Sequence, residues 1–273
     1  MKDYCFAHDS IILTEKASLH PADIGLTRGY GIFDFFRTVN YKPLFLSDYL
    51  DRFINSAEHT QIPLAYTKRE LEDIITQLIE KNDLMQGGIR MVLSGGLSDN
   101  HFSPAEGKFF IFCEDLQLPA EEKFQNGVKL LLEEYVRPLP TIKTTNYCQA
   151  VFSSLTWKEK NAEDVIYHHK GLISESSRSN IFVVKNSRLA TAQSNVLKGI
   201  TRKNILKLVP YTEVRDITVE ELLAADEVFM TSTTKRLLPV TQIDDQKVGG
   251  GKPGELTLSI LEKFKAEEAK SSN

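Results

Sequence analysis

Residues 197–208 read Leu197-Lys198-Gly199-Ile200-Thr201-Arg202-Lys203-Asn204-Ile205-Leu206-Lys207-Leu208. The change of pattern after Gly199 decides how the second half of the chain is built. Ile205, Leu206 and Leu208 recur at helical spacing, so a helix is predicted over 202–209 with residues 199–202 at its N-terminus. Unsatisfied N–H groups and the positive end of the helix dipole suit such a place to an anion. An ordinary capped helix is the other reading of the same residues. Further along, Glu227-Val228-Phe229-Met230 reads as a strand that runs into Thr231-Ser232-Thr233-Thr234. These hydroxyls either present further donors to a phosphate or continue a β-rich segment. In the other direction, strands are predicted over 165–168 and 181–184. They enclose Ile173-Ser174-Glu175-Ser176-Ser177, where Glu175 is an acid among small polar residues. It reads as a site carboxylate or as a loop carboxylate. Helices are expected over 148–160, 219–224 and 256–270, with a frayed tail over 266–273.

The first half mixes helices and strands. Ser47 reads as the cap of a helix carrying Leu50, Phe53, Ile54 and Ala57, with Asp48 and Asp51 near its positive end and Arg52 beside the apolar stripe. Thr67 and Glu70 form a capping-box pattern ahead of Leu71, Ile74, Ile75, Leu78 and Ile79. Strands are predicted over 37–39, 89–93, 108–113 and 129–132. Residues 117–127 are polar and bounded by Pro and Gly, and read as a connection. The domain boundary is placed there, giving domains 1–119 and 120–273 of mixed α/β character.

A length of 273 residues suits one large domain or two smaller ones. Hydrophobic residues make up 41% and charged residues 26%, which excludes a disordered chain and a membrane protein by composition. With 33 basic and 37 acidic residues the net charge is -4, so no uniform basic field favours nucleic acid. Apolar runs such as Phe109 to Cys113 are too short to span a bilayer. The start Met1-Lys2-Asp3-Tyr4-Cys5 lacks the pattern of a secretory signal. Three cysteines without a C-x-x-C pair indicate neither a disulfide framework nor a zinc clip. A reducing cytoplasm is the expected location. The six histidines form no ligand set, because His168 and His169 would face opposite sides of a strand. No metal is expected.

Lys143 lies in Pro138-Leu139-Pro140-Thr141-Ile142-Lys143-Thr144-Thr145-Asn146-Tyr147. A lysine partly desolvated by apolar neighbours has a lowered pKa and becomes a nucleophile, whereas a hydrated lysine stays charged and inert. Composition and spacing alone describe an α/β protein with a candidate phosphate site.

Taken in order, five blocks resemble the fold type IV, or class IV, aminotransferases that use pyridoxal 5'-phosphate (PLP). They are Gly29 to Arg37 (GYGIFDFFR), Ile142-Lys143, Gly171 to Phe182 (GLISESSRSNIF), Leu197 to Arg202 (LKGITR) and Ala225 to Thr234 (ADEVFMTSTT), with Pro239-Val240 following. The resemblance implies a smaller N-terminal α/β domain, a larger C-terminal domain, PLP in the cleft between them, and a homodimer. It makes Lys143 the catalytic lysine that holds PLP covalently and shuttles a proton between the substrate Cα and the cofactor C4' atom. It gives Glu175 to the pyridine nitrogen, and Arg52, Ile200, Thr201 and Thr233 to the phosphate. Tyr147 is implied as a contact of the cofactor hydroxyl, or as a core aromatic.

The implied substrate is less uniform. Arg90, in Gly88-Ile89-Arg90-Met91-Val92, matches an arginine of branched-chain aminotransferases that holds the side-chain carboxylate of glutamate or 2-oxoglutarate. Phe33, His101 and Thr234 complete the implied substrate contacts. Asn146, three residues after Lys143, matches the spacing of D-amino-acid aminotransferases and aminodeoxychorismate lyases. The D-amino-acid family's Arg-x-His pair reads Asp99-Asn100-His101 here, without the arginine. Arg28 and the Lys235-Arg236 pair either add positive charge near an anionic substrate or point to solvent. Asp34 stands where the family has glutamate. The expected activity is transamination of an L-amino acid, branched-chain-like, with glutamate and 2-oxoglutarate as one pair. The alternative is aminodeoxychorismate lyase, releasing pyruvate and 4-aminobenzoate.

Overall fold

The run Gly31-Ile32-Phe33-Asp34-Phe35-Phe36-Arg37-Thr38-Val39 alternates side chains between two faces of a strand, and almost all of it is buried. The computed structural model describes residues 1–271 of the chain. Contacts divide it into two units. The first takes residues 1–117, 142–147 and the C-terminal residues from Ala269; the second takes 118–141 and 148–268. The chain therefore crosses more than once, where the sequence suggested a single boundary at 119/120. The segment bearing Lys143 belongs to the first unit.

In the first unit, β1 (Tyr4–Ala7), β2 (Ser10–Leu13), the short α1 (Ile24–Thr27), β3 (Gly31–Val39), β4 (Lys42–Pro43), α2 (Leu46–Thr60), α3 (Lys68–Lys81), β5 (Gln86–Ser94) and β6 (Phe109–Glu114) follow one another. Six strands form one antiparallel sheet in the order β2-β1-β6-β5-β3-β4. Phe36, Ile89, Met91 and Ile111 bury one face, with Leu50 and Phe53 of α2 and Leu71, Ile75 and Leu78 of α3 in the same core. The capping box at α3 is present, Thr67 and Glu70 each bonding the other's backbone. Ser47 does not cap α2. The helix begins at Leu46 behind a left-handed Phe45, and Ser47 Oγ instead accepts a hydrogen bond from Lys68 Nζ at 2.8 Å.

In the second unit, α4 (Glu121–Asn126), β7 (Val128–Glu134), α5 (Cys148–Glu159), β8 (Asp164–His169), β9 (Leu172–Ile173), β10 (Asn180–Lys185), β11 (Arg188–Ala192), α6 (Ile200–Leu208), β12 (Glu213–Arg215), α7 (Val219–Leu223), β13 (Glu227–Ser232), β14 (Arg236–Ile243), β15 (Gln246–Lys247) and α8 (Glu255–Ser271) form a mixed α/β layer structure. Its sheet runs β12-β11-β10-β13-β14-β7-β8-β9, with β15 paired to β14. The links β11·β12, β14·β7 and β7·β8 are parallel, and the rest antiparallel. Leu130, Ile166, Ile181, Val183, Met230 and Leu238 lie in one apolar cluster. Two expectations change. The connecting segment 117–127 contains the helix α4, and the tail expected to fray from Ala266 continues as α8 to Ser271, the last two residues lying outside those described. No helix among the described residues is long and apolar enough to cross a membrane.

Candidate active site

In the first unit, residues 142–147 run beside the start of β3. Phe33 N donates to Lys143 O at 3.0 Å and Thr145 N to Gly31 O at 2.9 Å, and Ile32 bridges to Thr144. This short extra strand holds Lys143 half-buried, with its Nζ 4.5 Å from the centre of the Phe33 ring. Tyr147 packs edge-on against the same ring at 5.6 Å, and the Arg90 guanidinium lies 5.6 Å from it. Phe33 therefore gathers Lys143, Tyr147 and Arg90 around one aromatic ring.

Arg52 projects from α2 to Asp34 of β3, its Nε 2.9 Å from Oδ2 and its Nη2 2.6 Å from Oδ1. Asp34 is fully buried and also accepts from Phe35 N at 2.7 Å. Burial works against the Arg52 charge, but the Asp34 carboxylate more than offsets it, and the guanidinium is held above its ordinary pKa. The shorter acid in place of glutamate thus makes a two-point clamp that fixes the arginine's direction.

In the second unit, Glu175 is 4% exposed and both of its oxygens are engaged. Arg137 Nε donates to Oε1 at 2.7 Å and Leu197 N to Oε2 at 2.8 Å. Asn180 Nδ2 donates to Leu197 O at 2.8 Å, so the loop ahead of α6 is tied to the Glu175 turn from two sides. Gly199 is the N-cap of α6, and no side chain caps that helix. A Cβ at Gly199 would lie 2.2 Å from Asn180 Oδ1, which is why glycine is needed there. Ile200 and Thr201 are buried in the first turn. Ser177 Oγ, Ser179 Oγ and Thr231 Oγ1 are buried without a hydrogen-bond partner, and Thr231 is paired with Asn180 across β10 and β13. The uncapped start of α6 leaves backbone N–H donors that fit a phosphorylated cofactor.

Thr233 and Thr234 occupy the turn between β13 and β14, half-buried. His101 is exposed in the connection between β5 and β6, with no hydrogen bond or ring contact to Phe33, Lys143 or Arg90. Arg28 is exposed. Lys235 and Arg236 do not point to solvent as single hydrated chains. Lys235 is 5% exposed with its Nζ 3.5 Å from the buried Asp164, and Arg236 Nε meets Glu268 at 2.6 Å. Burial pushes the Lys235 pKa down against the opposing pull of Asp164. Arg137, Asp34 as the clamp of Arg52, Asn180 and Glu114, which bonds Arg90 Nη2 at 2.8 Å, were not singled out by sequence reading as site partners. Arg137 carried a weak signal, a basic residue six positions ahead of Lys143.

The sequence profile of the amino-transferase class IV family matches residues 31–243. The chain is 31% identical to the D-alanine aminotransferase of Staphylococcus haemolyticus, over 98% of this chain and 99% of that protein. It is 30% identical to a protein of Methanocaldococcus jannaschii provisionally named a branched-chain-amino-acid aminotransferase, over 92% and 91% of the two chains. The fold superposes on that of the Escherichia coli branched-chain amino acid aminotransferase with a TM-score of 0.92, at 24% identity, covering 100% of this chain and 97% of that one. The chain belongs to the class IV aminotransferases, enzymes of the fold type IV architecture, and its cofactor is pyridoxal 5'-phosphate.

Proposed function

We propose that this enzyme transaminates an L-amino acid of the branched-chain type, with glutamate and 2-oxoglutarate as the partner pair. One observation carries the reading: the Phe33 ring meets Lys143 Nζ, and the Arg90 guanidinium lies against that ring and the neighbouring Phe35. Such a surface takes an apolar side chain by burial and an acidic one by charge.

The residues divide the work. Lys143 Nζ would hold the cofactor covalently and would carry the proton that leaves the substrate Cα. Bound PLP supplies an electron sink for the pair left behind at Cα. Glu175, fixed by Arg137 and the Leu197 amide, pairs with the ring nitrogen and keeps it protonated. Arg52, aimed by Asp34, binds the phosphate, as do the Ile200 and Thr201 amides and the Thr233 hydroxyl. Tyr147 orients the ring through its hydroxyl. Phe33, Arg90 and Thr234 receive the substrate.

The test mixes PLP-loaded protein with L- and D-amino acids and, separately, with aminodeoxychorismate, following the visible spectrum. Conversion to the pyridoxamine form by L-leucine and L-glutamate supports the reading. Conversion by D-alanine alone overturns its stereochemistry, and pyruvate release from aminodeoxychorismate without a keto-acid acceptor makes the protein a lyase instead.

A further inference from the structure

The face of the first unit's sheet that carries Phe33 also carries a charge pair. On β5, Gly88, Arg90 and Val92 point to this face; opposite them stand the buried Arg37, then Phe35 and Phe33 on β3, and Glu114, Phe112 and Phe110 on β6. Glu114 is directly across from Gly88, one diagonal step from Arg90. Because Gly88 has no side chain, Glu114 crosses over it and takes Arg90 Nη2 at 2.8 Å, with Nε at 3.4 Å. A Cβ at Gly88 would meet the Phe35 ring at 2.4 Å and Glu114 Cγ at 3.3 Å, so the glycine is the space through which both approach. The guanidinium is thereby fixed against Phe35 at 4.9 Å and Phe33 at 5.6 Å, and the pair is half-exposed, at 32% and 25%.

We infer that Glu114 is a specificity-determining residue, which competes with an acidic substrate's side-chain carboxylate for Arg90. This rests on the reading that the Phe33 face beside Lys143 receives the substrate side chain. That side chain extends across Phe33 toward Arg90, because the one ring contacts both Lys143 Nζ and the guanidinium. An apolar side chain meets a neutral Arg90–Glu114 pair and leaves it intact. An acidic side chain meets an arginine that already has its carboxylate, and its own negative charge stands beside that of Glu114 until Glu114 withdraws. The enzyme therefore accepts acidic substrates at an affinity below what a lone Arg90 would give.

The variant Glu114→Gln keeps the shape of the side chain and removes its charge. Two ratios report on it. One is kcat/KM for L-glutamate relative to L-leucine in the PLP-loaded enzyme; the other is the affinity for glutarate relative to 4-methylvaleric acid, by calorimetry. Both ratios are expected to rise about fivefold, the scale of a partly exposed ion pair. Arg90→Met added to Glu114→Gln is expected to abolish the gain. Ratios that stay at the wild-type value, that fall, or that rise equally in the double variant overturn the inference. Wild-type protein that forms no lysine-bound PLP band defeats the functional reading instead, and the calorimetric ratio still decides on Glu114.

Discussion

Arg137 Nε and Glu175 Oε1 are 2.7 Å apart, with 9% and 6% of their side chains exposed, and the second carboxylate oxygen is held by the Leu197 amide. An acid so enclosed, with both oxygens bonded, is held in one orientation. This is the condition for keeping a pyridine nitrogen protonated through a catalytic cycle.

Glu175→Gln alters that charge and little else. The variant is expected to retain PLP while its single-turnover half-reaction with an amino acid slows roughly a hundredfold. Stopped-flow absorbance checks it, and an unchanged rate removes Glu175 from the ring-nitrogen role.

Arg137→Met removes the guanidinium that bonds the buried Glu175 carboxylate. Loss of about 3 kcal/mol of unfolding free energy is expected, measured by denaturant titration of the PLP-free protein. Adding Glu175→Gln to it should recover part of that loss, because the buried negative charge is then gone. If the double variant is as unstable as the sum of the singles, the two residues do not act as a pair.

Gly199→Ala sets a methyl group against Asn180 Oδ1, which lies 2.2 Å from the Cβ position. The Asn180 side chain must turn, and its hydrogen bond to Leu197 O, which ties the loop ahead of α6, is lost. An affinity for PLP weakened about tenfold is expected by equilibrium dialysis, the scale of displacing one phosphate contact. Wild-type affinity in the variant would show that this helix start takes no part in holding the phosphate.

Much of this was legible in the chain. The Thr67–Glu70 capping box and the break at Gly199 are local signals, each decided within four residues, and both reappear as the starts of α3 and α6. Lys143 and Glu175 were singled out by their neighbours and then given roles by the ordered motifs. The partners of these residues were not legible, because pairing distance in space leaves no trace in spacing. Glu175 and Arg137 are 38 positions apart, and Arg90 and Glu114 are 24. Lys235 shows the cost most plainly. Its sequence neighbours leave open a solvated chain or a charge near an anionic substrate, yet Asp164, 71 positions earlier, shares its buried site. Ser47 failed for the opposite reason: a good capping residue was outbid by Phe45 in a left-handed conformation one residue ahead of the helix.

Acid weakens the second unit through Glu221. Its hydrogen bonds with Arg215, one at 2.9 Å, hold the Glu221 carboxyl below its ordinary pKa. A depressed carboxylate contributes stability above its unfolded pKa and loses it as pH falls through the folded value. Glu221→Gln is therefore expected to cost up to about 1 kcal/mol at pH 7, the scale of a largely exposed pair, and almost nothing once the carboxyl is protonated. Denaturant midpoints of the two proteins that stay equally far apart from neutral pH down to strongly acid pH would contradict this.

Everything proposed for the reaction depends on Lys143 being the residue that carries the cofactor. Borohydride reduction of the PLP-loaded protein followed by peptide mapping tests it directly, since reduction fixes the cofactor to whichever amine holds it. A phosphopyridoxyl group is expected on the peptide containing Lys143, and none on that peptide when Lys143→Ala is treated in the same way. Stoichiometric label on another lysine, with Lys143 unmodified, would contradict it.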